Sequence, residues 1–161
     1  MKRGRSGGVI CAALSRLGLV ACSPEDRWIV STGQLDGKPY IARFRATVPR
    51  HVDPGSYPTL VTLAWHYDDG ASGLPADDVR SRMERLEDLL VERVEGRQVA
   101  FHMVTVTGKG TREWQFYARA EDEMMRALND ALRGEPVFPI EIHLAADPDW
   151  HQYHLLADRN E

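Results

Sequence analysis

The feature that most limits what this chain folds into is a hydrophobic period that changes repeatedly between residues 60 and 144. Leu60 to Trp65 is almost continuously apolar, which predicts a strand covered on both faces. Val79, Met83, Leu86, Leu90 and Val94 then recur at spacings of four, three, four and four. That spacing predicts an amphipathic helix, opened by Asp77 and Asp78 and stopped at Gly96. Val99 to Thr107 and Arg112 to Ala118 read as two strands joined by the turn Gly108-Lys109-Gly110. Met125, Leu128 and Leu132 give a second helix from Glu121, and Val137 to Leu144 alternates as a last strand.

The order β-α-β-β-α-β predicts an α+β, ferredoxin-like antiparallel sheet with two helices on one face. An extra N-terminal hairpin precedes it. Its strands are Trp28 to Thr32 and Tyr40 to Val48, with turn residues at 33–38 and a breaker-rich loop from Pro49 to Pro58 after it. With 43% apolar and 27% charged residues, 161 residues suffice for one folded domain, expected at 28–161.

The first 21 residues differ in kind. Lys2, Arg3 and Arg5 open the chain, a mostly small or apolar stretch follows, and Leu19-Val20-Ala21-Cys22 closes it. This arrangement resembles a bacterial lipoprotein signal peptide. The resemblance implies removal of 1–21, lipidation of Cys22, a short tether at 22–27 and a membrane-anchored domain in the cell envelope, on the periplasmic side of the outer membrane. Arg16, a charge within the greasy stretch, runs against that pattern.

Without that segment the chain keeps 16 basic against 24 acidic side chains, a net charge of −8. A surface of that sign repels a phosphate backbone, so nucleic acid is not an expected partner. The two cysteines, Cys11 and Cys22, both precede the folded part, which therefore lacks the thiols for a disulfide framework or a cysteine zinc site.

Three strings carry a family resemblance: Gly73-Leu74-Pro75, then Gly110-x-Arg112-Glu113-x-x-Phe116-Tyr117, then Asp147-Pro148-x-Trp150-x-x-Tyr153. Over roughly residues 28 to 156 the chain resembles the bacterial family called domain of unknown function 695. That family looks related in fold to a ribonuclease inhibitor, the regulator of ribonuclease activity B, which binds an enzyme and performs no chemistry itself. Fold alone does not carry function across.

Arg112, Glu113, Trp150 and Tyr153 are the candidate interaction residues. Trp150 and Tyr153, three apart, share one side of a turn or short helix, and the first expectation for them is packing against the sheet, with Asp147 as turn residue or cap. Alternation sends Arg112 and Glu113 to opposite faces, and for Arg112 a structural salt bridge or an exposed pair is preferred over a ligand site. His66, Asp68, His151 and His154 are weak candidates for metal chemistry, with no zinc-type spacing joining them, and the adjacent loop carboxylates Asp68 and Asp69 are a weak acid-base pair whose first expectation is a solvated turn. His102 and His143 are expected on solvent-facing strand positions.

These observations lead to a non-enzymatic envelope lipoprotein whose domain binds another protein, without cofactor or metal and with no oligomeric state implied. One alternative is a cytoplasmic regulator that inhibits an enzyme such as a ribonuclease. The second is a metal-dependent hydrolase.

Overall fold

The computed structural model describes residues 27–158 and, as backbone only, residues 8–11. Six antiparallel strands form one sheet: β2 (Arg27–Leu35), β3 (Lys38–Arg45), β4 (Thr59–His66), β5 (Ala100–Gly108), β6 (Thr111–Ala118) and β7 (Ile140–Ala146). A short strand β1 (Gly8–Cys11) lies outside β2. The helices are α1 (Asp77–Leu90), α2 (Glu121–Leu132) and α3 (His151–Ala157). The strand order is β1-β2-β3-β5-β6-β4-β7.

The expected α+β class and antiparallel sheet are found. The order of the whole sheet is not that of a four-stranded ferredoxin sheet, because β3 and β2 continue it beyond β5 and β1 lies outside them. The expected N-terminal hairpin is β2–β3, so its strands belong to the same sheet as the rest. Both tight hairpins turn on a pair of left-handed residues, Asp36-Gly37 and Lys109-Gly110, with φ of 53° and 77°, and 52° and 72°. Two consecutive positive φ angles match the right-handed twist of the strands they join.

Period-two alternation sends successive side chains to two different cores. On one face Val61, Leu63, Trp65, Trp114 and Phe116 meet Met83, Leu86 and Leu90 of α1 and Met124 and Leu128 of α2. On the other face Phe44, Leu60, Phe101, Met103 and Tyr117 meet Val52 and Tyr57 from the 49–58 loop and Trp150 and Tyr153 from the C-terminal segment. The sheet is thus covered by helices α1 and α2 on one side and, in part, by α3 on the other.

Several boundaries differ from expectation. β2 runs on to Leu35 and β3 begins at Lys38, so of the turn expected at 33–38 only Asp36-Gly37 lies outside the strands. The strand after Tyr40 ends at Arg45, short of Val48. The last strand begins at Ile140, since Pro139 has no N–H for a ladder and Val137 is 88% exposed. Helix α1 runs on through one π turn, Val91–Glu95, and stops at Gly96 as expected, although Gly96 stays right-handed and the left-handed residue that follows is Gln98, with φ of 56°. Glycine is required at 96 for a different reason: a Cβ there would lie 2.4 Å from the carbonyl oxygen of Glu92.

Leu86 is fully buried between α1 and the sheet. Leu86→Ala is expected to lower the unfolding free energy by about 2–5 kcal/mol, read as a shifted urea midpoint with unchanged slope.

Candidate functional site

The spacing that makes α1 amphipathic also carries a charge inward. Glu87 falls four residues after Met83 and three before Leu90, on the buried stripe of the helix. Its carboxylate reaches three donors on the sheet. Arg43 of β3 pairs with Oε1, while Arg112 donates to Oε2 at 3.2 Å and the Trp114 indole N–H at 2.8 Å. Burial pushes the Glu87 carboxyl up, but positive charge at His102, Arg43 and Arg112 outweighs it and lowers the pKa to about 2. So low a value disqualifies Glu87 as a proton acceptor near neutral pH.

A second ion pair continues the cluster. Arg45 of β3 pairs with Glu95, held by the π turn, and its Nε donates to the His102 carbonyl at 2.9 Å. The other Glu95 oxygen accepts the His102 backbone N–H at 2.9 Å. The widened turn at the end of α1 therefore aims Glu95 back at β3 and β5.

His102 is 1% exposed, which corrects its expected solvent-facing position. It follows Phe101 in an almost unbroken apolar run, and such a run marks a strand covered on both sides. Its ring stacks on Phe116 at 4.8 Å and lies against Trp28 at 4.9 Å. Its Nε2 lies 2.8 Å from Thr105 Oγ1 and 3.2 Å from the Val104 carbonyl, contacts made where the strand bulges between His102 and Val104. Desolvation lowers its pKa to about 4, against the attraction of Glu87. Arg43 and Arg45 stand over the Trp28 ring at 5.0 and 5.3 Å and close the cluster from the β2 side.

Arg112 belongs to this buried network, stacked 5.2 Å from the Trp114 ring, with Glu113 directed to the other face. The salt-bridge expectation for Arg112 describes its position. It is not presented to a ligand at the surface.

Trp150 and Tyr153 are 0% and 2% exposed. The reason is Asp147. Its two carboxylate oxygens accept the backbone N–H groups of His151 and Gln152 at 2.8 and 3.0 Å and the Tyr117 hydroxyl at 2.7 Å, so it caps α3 while tying it to β6. Burial alone would raise its pKa, but these donors lower it. Trp150, left-handed at φ 54°, stacks on Tyr117 at 4.1 Å and donates from its indole N–H to the Tyr57 carbonyl. Tyr153 donates its hydroxyl to the Arg45 carbonyl at 3.0 Å. In this conformation the pair is packing and offers no outward surface.

The metal and acid-base candidates are dispersed. His66 ends β4, Asp68 accepts the Gly70 N–H in the following turn, and His151 and His154 sit on α3, beyond the opposite end of the sheet. Among the described residues no group of three or more His, Cys, Asp or Glu side chains is arranged to hold a metal ion. Cys22 and the first 21 residues, apart from the backbone of Gly8–Cys11, lie outside the described residues.

What the surface does offer is β7. It is the last strand of the sheet and, among the described residues, pairs with β4 alone. Glu141, His143, Leu144, Ala145 and Ala146 along it are exposed. His66 and His143 each bring Nε2 to 3.6 Å from the same Glu141 oxygen on its outer face.

The sequence profile of a family of unknown function, DUF695, matches residues 26–156. The chain belongs to this family. No curated protein and no solved structure matches it. In this DUF695 domain two of the three strings that carry the resemblance are structural: Arg112 anchors α1 to the sheet, and Asp147, Trp150 and Tyr153 fasten the C-terminal helix over its other face.

Two outcomes test the cluster. Glu87→Ala takes the carboxylate from the mostly buried Arg112 and Trp114 and from the partly exposed Arg43, and is expected to cost about 3 kcal/mol in denaturant unfolding. Acid acts in two windows, because both groups bind a proton more readily when unfolded. From about pH 6.5 to about 4 only the unfolded chain protonates at position 102, and from about 4.5 to about 2 only the unfolded chain protonates at Glu87, so stability falls as the pH drops through each window. Urea midpoints taken from pH 7 to pH 4 are expected to decline, and His102→Gln to flatten that decline.

Proposed function

We propose that this DUF695 protein is a non-enzymatic lipoprotein of the cell envelope, tethered at Cys22, whose domain binds a protein segment by adding a strand to the free edge of β7. The single observation that carries the binding half is that edge: seven residues which, among the described residues, are paired on one side only, with exposed side chains along them. Unpaired backbone donors and acceptors on an edge strand are the template for strand addition, and native sheets with no such use blunt them with lysine, proline or a cover. Ile140 to Ala146 holds neither lysine nor proline. The anchoring half rests on the order of basic start, greasy stretch and Leu19-Val20-Ala21-Cys22.

In the same reading the core from β4 to β7 is a ferredoxin-like unit. What supports it is the order β7-β4-β6-β5 with α1 and α2 on one face, the β2–β3 hairpin being an addition at the β5 edge; β1 lies within the 1–21 segment that processing before Cys22 removes. The hairpin covers the β5 edge of that unit and leaves β7 as its other edge.

The test has two arms in intact cells. A clickable fatty acid is expected to label the wild-type chain and not Cys22→Ala; unlabelled wild type, or equal labelling of both, removes the anchor. A photo-crosslinking residue placed at Glu141 or His143 is expected to give protein adducts that the same residue at Arg80, exposed on α1, does not. Equal adducts at all three positions, or none at β7, remove the docking edge.

A further inference from the structure

Resting on the strand-addition reading, we infer that the segment received by β7 is β7 of a second copy, paired antiparallel about a two-fold axis through His143. The argument lies in the pattern of Ile140-Glu141-Ile142-His143-Leu144-Ala145-Ala146, whose central residue is His143. A perpendicular two-fold axis there pairs Ile142 with Leu144 of the other copy, twice, and Glu141 with its Ala145, twice.

The first pairing joins apolar to apolar, and the second sets an acid beside a small residue. Ile140 and Ile142 lie partly buried against the α1/α2 core, and Leu144 has the same parity but is left 37% exposed. The symmetric register lays Ile142 of the other copy beside it, so the apolar stripe continues across the junction and the exposed leucine is covered. On the opposite face small Ala145 accommodates Glu141, and the diagonal neighbour of Glu141 is then His143 of the other copy. Each Glu141 oxygen that already has His66 and His143 at 3.6 Å gains a third imidazole within reach. A perpendicular two-fold keeps α1 and α2 of both copies on the same side, so the two sheets merge without exchanging faces. A one-residue shift would set opposite faces of the pleat against each other, and moving the axis to Ile142 would cut the paired stretch from seven residues to five, because Ala145 would then face Pro139 outside the strand.

One seven-residue strand pair is a small interface, so the dimer is reversible and is best read by covalent trapping. Directly opposed residues in an antiparallel pair have Cα atoms about 4.5 or 5.5 Å apart, and a disulfide fits either spacing. The experiment oxidises intact cells that express the full chain, with Cys11 and Cys22 in place as the wild-type background. His143→Cys is expected to give a covalent dimer absent from wild type, Glu141→Cys alone not, and Glu141→Cys with Ala145→Cys together to restore it. Adding Leu144→Lys to His143→Cys is expected to cut the dimer about tenfold. His143 and Leu144 are both exposed, so melting curves close to wild type are expected and verify that the variants fold. No His143→Cys dimer, or equal dimer from every single cysteine, overturns self-pairing. If adducts of other masses still form at β7 by photo-crosslinking, strand addition stands with a different occupant; if none form, both readings fall together.

Discussion

The helix-covered face of this domain is arranged around one carboxylate, that of Glu87. A helix lying on a sheet is normally held by apolar burial, which sets its distance but leaves it free to slide and rotate. Here one charge on the buried stripe of α1 is satisfied by Arg43, Arg112 and the Trp114 indole, which come from β3 and β6. A carboxylate removed from water tolerates few positions, because losing any of those donors leaves buried charge uncompensated. The helix is therefore fixed in register against the sheet. The π turn extends the same logic, since it carries Glu95 to Arg45 and to the backbone of His102.

The cluster also explains why the N-terminal hairpin is part of the domain. Arg43 and Arg45 alternate with Ala42 and Phe44, a pattern that reads in sequence as a half-buried strand with arginines in water. In the structure both arginines turn inward, to Glu87 and Glu95, and Trp28 lies under them. The hairpin thus contributes the cations that neutralise two acids of α1 and its π extension, and β3 ladders to β5 to deliver them. Remove it, and Glu87 retains one guanidinium and Glu95 none of those described here.

Much of this was legible in advance. Period and turn chemistry placed every strand and helix between residues 59 and 132, and the spacing of Trp150, Tyr153 and Asp147 foretold a packed, capped turn. What escaped was the direction of polar side chains inside apolar runs. His102 was placed in solvent by alternation alone, although its neighbours Phe101, Met103 and Val104 imply burial on both faces. A bulge between His102 and Val104 then shifts the alternation locally, and no one-dimensional period records that. Glu87 escaped for a related reason: its position between Met83 and Leu90 marks it as inward, but only the fold brings Arg43, forty-four residues away, to meet it. Long-range charge partners are set by topology, and topology is the part of a fold that local pattern constrains least.

The two faces and the two edges of the sheet end up with unequal freedom. One face is closed by α1 and α2 over a satisfied ionic layer, and the other is fastened in part by Asp147, which caps α3 and draws Trp150 onto Tyr117. The β5 side of the core is extended by a hairpin that the cluster needs. Each of those surfaces is engaged in holding the fold, so altering one to receive a partner would also loosen the network behind it. β7 differs: its inner edge ladders to β4, its apolar side chains lean on the α1/α2 core, and its outer edge takes no part in the ionic layer or the C-terminal cap. A strand can be added there without disturbing a single buried charge. For a domain whose polar interior is already committed, that is the place where binding costs the fold least.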